Sequence, residues 1–158
     1  DYVVLRDAAQ AADIWKVRGA LVKAVEAVSE QEPVDIVVPI SRTADFVRFI
    51  NELEVSSGMR MIAFGHAGDG NVHLCVVRDG RDAETWEREL HENMEKAYAQ
   101  AYACGGVASG EHGIGISKRP YFLRETPKEN LAVMNRIKTA LDPKHILNDQ
   151  KSYIVGGK

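Results

Sequence analysis

The sequence predicts an α+β domain: a ferredoxin-like antiparallel sheet in the order β-α-β-β-α-β, with extra helices at the N- and C-terminal ends. Three observations predict it. The apolar runs MRMIAFGH (59–66) and VHLCVV (72–77) flank a glycine-rich reversal, which makes them an antiparallel pair. The β-branched run VDIVVP (34–39) precedes a helix-periodic segment that leads into this pair. A second, longer helix-periodic segment follows the pair and ends at Gly105-Gly106, just before the short apolar stretch VAS (107–109).

In chain order, Ile14, Val17, Leu21, Val25 and Val28 recur at three- and four-residue steps, predicting an amphipathic helix over 8–28 that also carries Trp15 and Arg18. The strand over 34–39 exits at Pro39, which cannot continue a ladder. Ser41 or Thr43 then caps a helix that runs through Leu53, buries Phe46, Val47, Phe49, Ile50 and Leu53, and stops at Gly58. Asp79-Gly80 closes the second strand of the hairpin. The long helix spans 83–103 with Trp86, Leu90, Met94, Ala97, Tyr98 and Ala101 on one stripe. VAS is the last strand. The stretch GEHGIGISKRPYF follows, then a helix over 127–141 and the tail ILNDQKSYIVGGK.

A chain of 158 residues suits one domain that buries roughly 70% of its unfolded surface. A net charge of -3, with lysines and arginines scattered among acids, offers no basic stripe for nucleic acid. Cys75 and Cys104 lie far apart without a CxxC pairing, so free thiols and a reducing, cytoplasmic setting are expected. No apolar run approaches the roughly 20 residues that cross a bilayer, and no basic-then-apolar leader opens the chain. The absence of an initial Met suggests a piece of something longer.

The chemistry gathers in two stretches, GHAGDGNVHL (65–74) and SGEHGIG (109–115). A turn explains the glycines, Asp69 and Asn71, since Gly, Asp and Asn tolerate reversals. It does not explain His66 and His73, which the reversal brings together and which could face one divalent metal. Glu111, bracketed by glycines at a strand end, offers a third ligand, and His112 beside it can move a proton, because imidazole titrates near neutral pH. The structural alternative is that each histidine is a hydrogen-bonded turn residue. Asp69 and Asn71 fit a turn role, or they orient a ligating imidazole. Arg18, Arg42, Lys118 and Arg119 are ordinary surface charges unless they clamp an anionic group. His91, between Glu89 and Glu92 of the long helix, reads as a solvated side chain.

GHAGDGNVHL and SGEHGIGISKRPYF, with ALDPKHILNDQK after them, resemble the C-terminal domain of FAD-linked oxidases. This is the vanillyl-alcohol oxidase type of flavoprotein, the group of D-lactate dehydrogenase, the glycolate oxidase D subunit and D-2-hydroxyglutarate dehydrogenase. The likeness runs from DIWKVRGAL (13–21) through DIVVPISR (35–42) to the tail. It implies a substrate-binding cap laid over an FAD that a longer N-terminal domain holds. It implies that His66, His73 and Glu111 ligate a divalent metal, zinc in some members, with manganese, iron and cobalt also suited to the set. It implies that His112 is the base, that Arg18 contacts a substrate carboxylate, and that Asn148 lies in a tail returning toward the flavin. Arg42 and Lys118 are assigned to substrate on their positions after a strand end and after EHGIG. Electron-transfer or iron-sulfur subunits, peripheral to an inner membrane, are further implied partners.

Two departures refine this expectation. The tail reads ILNDQK where many relatives read ILNPGK, and Pro33 stands where a lysine is expected in members that bind a second carboxylate. The second departure argues against a dicarboxylate and favours D-lactate or glycolate. With no GxGxxG fingerprint in 158 residues, the chain is expected to be inactive alone and able to self-associate through surface normally covered. The competing readings are a non-catalytic ferredoxin-like ligand-binding or assembly module, and a metal hydrolase that would turn over without flavin.

Overall fold

The computed structural model describes residues 4–148 and residue 151. Three strands, β1 (Gln31–Val37), β2 (Met61–His66) and β3 (Asn71–Val77), form an antiparallel sheet in the order β1-β3-β2. The hairpin predicted around GHAGDGNVHL is present, with His66 opposite Asn71 and Phe64 opposite His73. On the other side of β3, Asp35 is opposite His73. Directly paired residues share a face of the sheet, and the face alternates along each strand.

One face builds the core. Val34, Ile36, Val72, Leu74, Val76 and Met61 pack against Phe46, Ile50 and Leu53 of α3 (Thr43–Ser57) and Met94, Ala97, Tyr98 and Ala101 of α4 (Ala83–Ala103). The predicted stripe of the long helix is thus the buried one, and Asp82 caps it by accepting from the Thr85 N–H. The opposite face carries Ile62, Phe64 and His66 on β2, with His73, Cys75 and Val77 on β3. Here Val25 is the buried contact from the N-terminal helices, packed with Cys75 and Val77.

The expected helix over 8–28 is broken into α1 (Ala8–Gly19) and α2 (Leu21–Glu26), because the Ala20 N–H turns back to the carbonyls of Val17 and Arg18 at Gly19-Ala20. Its apolar stripe forms but stays largely in solvent: Ile14, Trp15, Val17 and Val28 are exposed. β1 begins three residues earlier than expected. Pro33 is accommodated there because the far side of β1 is bridged only at Val37, leaving no ladder donor missing at position 33. Neither Ser41 nor Thr43 caps α3; a 3-10 turn at Ile40–Arg42 leads into it, and Gly58 ends it in the left-handed region as expected. A helix the sequence did not disclose, α5 (Arg119–Glu125), starts with Pro120 in its first turn. It sets Tyr121 in a stack on Tyr98, with ring centres 4.2 Å apart. α6 (Lys128–Leu141) matches the expected helix.

The fourth strand contracts to a single antiparallel bridge, Val37 to Val107, at the free edge of β1. Its position preserves the split β-α-β-β-α-β order. The chain leaves the ladder because the next backbone N–H groups bond the Asp35 carboxylate instead, as described below.

Candidate metal centre

Pairing of β2 with β3 puts His66 and His73 on the same face, with ring centres 5.2 Å apart and nearly perpendicular planes. Two glycine positions allow the approach that builds this end of the sheet. Gly70 sits at φ +71°, where a Cβ would fall 1.9 Å from the Val38 carbonyl oxygen, and its own oxygen accepts from the Val38 N–H. Gly110 packs so closely that a Cβ would lie 2.7 Å from both Asn71 Nδ2 and Val37 Cγ2.

The segment after the bridge is folded around Asp35. Its buried carboxylate Oδ2 accepts from the Ser109 hydroxyl and from the backbone N–H groups of Gly110, Glu111 and His112, at 2.8–3.1 Å. The Lys118 ammonium, only 6% exposed, adds contacts to Asp35 Oδ2 and the Asp35 carbonyl at 3.4 Å, and to Ser109 Oγ at 3.3 Å. Burial pushes the Asp35 carboxyl upward, but these donors outweigh it and hold the group well below the usual carboxylate range. Burial also lowers the Lys118 ammonium, against the pull of Asp35.

This cradle aims Glu111 at both histidines. Glu111 Oε1 lies 3.5 Å from His66 Nε2 and 3.3 Å from His73 Nε2. His112 stacks on His73, with ring centres 5.1 Å apart, and its Nε2 is 3.8 Å from the same oxygen. One ligand atom from each of His66, His73 and Glu111 lies within 4.8 Å of the others. Donors bound at about 2.0–2.2 Å around one ion are roughly 3.4 Å from each other, so the set has the right spread for a divalent metal. A buried polar atom supports the same fit. His73 Nδ1 and Asp35 Oδ1 face each other at 4.0 Å, and neither has another partner among the described residues. A proton on Nδ1, directed at that carboxylate, leaves the Nε2 lone pair free for an ion.

Arg18 joins this group: it lines a pocket of about 250 Å³ with His66, His73, Phe64 and Leu21, and lies over the Trp15 ring at 5.5 Å. The other predicted anion contacts do not join it. Lys118 turns inward to Asp35, which corrects its assignment to substrate: a buried ammonium that neutralises a buried carboxylate is not presented to a ligand. Arg42, half exposed at the start of α3, is 3.7 Å from Asp45. Asn148 lies in the exposed tail beyond α6 with positive φ, and its carbonyl accepts from the Lys151 N–H. Asn71 is buried beneath Gly110, whereas Asp69 stays on the turn. Asp35 is the residue the sequence reading passed over; its signal was a lone carboxylate inside an otherwise apolar strand, where an unpaired charge is unfavourable.

An antiparallel split sheet with a His-His-Glu cluster on its open face defines an α+β domain with a candidate metal centre. The chain belongs to the family described as FAD linked oxidases, C-terminal domain, which it matches over residues 1–152. It is 36% identical over 152 residues to the D-lactate dehydrogenase of Anaerostipes hadrus, covering 96% of this chain and 32% of that protein. It is 42% identical over 119 residues to the mitochondrial D-lactate dehydrogenase [cytochrome] of Kluyveromyces lactis, covering 75% of this chain and 20% of that protein. Glycolate oxidase subunit GlcD of Bacillus subtilis is 36% identical over 119 residues, covering 75% of this chain and 25% of that protein. The chain therefore spans between a fifth and a third of the length of these relatives.

Proposed function

We propose that this domain is the substrate- and metal-binding cap of an FAD-dependent D-2-hydroxy acid dehydrogenase, of the kind that oxidises small monocarboxylic acids such as D-lactate or glycolate. The observation that carries the reading is the convergence of His66 Nε2 and His73 Nε2 on Glu111 Oε1 beside a pocket that also contains Arg18. Family membership and the names of the relatives support the flavin part. When bound, a divalent ion, zinc by preference, supplies Lewis acidity toward the 2-hydroxyl, and FAD held by the rest of a longer protein supplies the acceptor for the α-hydrogen and its electrons.

The roles of this chain's own residues follow from their positions. His66, His73 and Glu111 would hold the ion, and Asp35 fixes the loop that brings Glu111 to them. Arg18 pairs with the substrate carboxylate across the pocket and sets the orientation of the hydroxyl. His112 takes the hydroxyl proton on Nε2, the ring nitrogen that faces the ion-binding oxygen of Glu111. The test is anaerobic mixing of the flavoprotein containing this chain with D-lactate or glycolate, read by bleaching of the flavin absorbance. His112→Gln should slow reduction by about 10²–10⁴-fold while leaving the metal in place. Unchanged reduction in that variant would overturn the role given to His112.

A further inference from the structure

On the core side of the sheet, away from the His-His-Glu cluster, a cavity of about 190 Å³ opens between β1, α4 and α5. The β1 register places Glu32 on the same face as the core residues Val34 and Ile36, so a carboxylate stands where the strand pattern otherwise delivers apolar groups. Val34, Leu90 and Met94 give the cavity an apolar lining, and the stacked rings of Tyr98 and Tyr121, 2% and 6% exposed, complete its buried part. Glu87 and His91, one helical turn apart on α4, stand exposed at the rim. Three oxygens here lack donors: the Glu32 carboxylate and the Tyr98 and Tyr121 hydroxyls have no hydrogen-bond partner among the described residues. Lys118, the cation that acts on Glu32, directs its own donors to Asp35 and Ser109 at 3.3–3.4 Å. Burial accordingly raises the Glu32 carboxyl, with the Lys118 charge opposing, as expected for a half-buried acid that no donor serves. Burial raises both phenols, and the Glu32 carboxylate is among the charges that raise them further. Both stay protonated and offer lone pairs, not the anionic oxygens that hold a divalent metal.

We infer that this cavity binds a small primary alkylammonium ion, its head held by Glu32, Tyr98 and Tyr121 and its carbon chain laid against Val34, Leu90 and Met94. An ammonium group carries three N–H donors and no acceptor, one donor for each of the three oxygens. The exposed Glu87 carboxylate adds attraction for a cation at the rim. At the roughly 30 Å³ that a water-sized group occupies, the cavity admits about six non-hydrogen atoms, the size of n-pentylammonium. The site stands on the face opposite the metal centre and is independent of the reading given to that centre.

The experiment is calorimetric titration of the full 158-residue chain with n-pentylammonium, and with 1-pentanol as its uncharged counterpart. It is repeated on Glu32→Gln, on Tyr98→Phe and, as a control at the metal centre, on His66→Ala, with circular dichroism verifying the fold of each. The expected result is saturable one-to-one binding of n-pentylammonium, with 1-pentanol at least about tenfold weaker. Glu32→Gln should weaken the amine by about tenfold or more and Tyr98→Phe by about fivefold, because a hydrogen bond to a charged acceptor contributes more than one to a neutral hydroxyl. His66→Ala should leave the affinity unchanged. No saturable binding, equal affinity for amine and alcohol, or an amine affinity that survives both Glu32→Gln and Tyr98→Phe would overturn the site. Loss of binding in His66→Ala would place the amine at the metal centre and overturn it as well.

Discussion

Asp35 organises the site at the scale of single residues. One buried carboxylate receives three backbone N–H groups, the Ser109 hydroxyl and the Lys118 ammonium, and so converts a glycine-rich loop into a fixed support for Glu111 and His112. Asp35→Ala leaves a buried cation and several donors without an acceptor. It should destabilise the chain by about 3–5 kcal/mol in urea unfolding. Lys118→Met, which leaves the backbone donors satisfied, should cost less; an equal or larger loss would contradict the hub role. The sign of the pH dependence follows from the depressed carboxyl. Its contribution is present above the unfolded value near about 4 and is lost as pH falls toward the lower folded value. The convergence of His66 and His73 was legible in the sequence because two His-bearing, glycine-rich stretches have little else to do at a hairpin. Asp35 was not, because strand composition around it reads as core, and only the fold reveals which loop comes to it. Lys118 was misread for the same reason: its partner is 83 residues away.

At the scale of elements, helices and hairpin were legible wherever one face of a segment is buried, as in α4, whose stripe coincides with its core contacts. The contraction of the expected fourth strand to a single bridge was not, since the donors that would extend it are spent on a side chain. The break between α1 and α2 was hidden because the apolar periodicity continues across it. Two predictions belong here. Gly70→Ala would force a side chain into the left-handed region and against the Val38 carbonyl. It should lower the thermal midpoint by several degrees, corresponding to about 1–3 kcal/mol, whereas Gly68→Ala, with open space around it, should change it little. Beyond α6, Asp142 holds the turn that follows the helix by accepting from Lys138 and from the N–H groups of Ile146 and Leu147. The Lys138 hydrogen bond, foremost among these, draws its carboxyl down to about 2. Its stabilisation is therefore present above about pH 4 and fades as pH falls toward about 2. Asp142→Asn should melt below the parent at pH 6 and converge with it near pH 2; a constant difference across that range would contradict the assignment.

At the scale of the whole molecule, the two faces of the sheet are unequal. One is sealed by α3 and α4, and the other carries the His-His-Glu cluster and the Val25 contact of α2, while α1 leaves an apolar stripe of Ile14, Trp15 and Val17 exposed. Among the described residues no helix is long and apolar enough to cross a membrane, and an exposed apolar stripe of this kind is a surface on which another chain can pack. The isolated chain should self-associate through it, and Trp15→Lys should shift light scattering toward monomer; a parent that stays monomeric over a wide concentration range would contradict that use of the face. The central claim is that the open face holds a metal. Its most direct test is metal content by mass spectrometry of the purified chain after exposure to Zn²⁺ and desalting, alongside His66→Ala, His73→Ala and Glu111→Ala. The account predicts close to one divalent ion per chain in the parent and loss in each variant. A parent that retains none, or variants that retain as much as the parent, would contradict it.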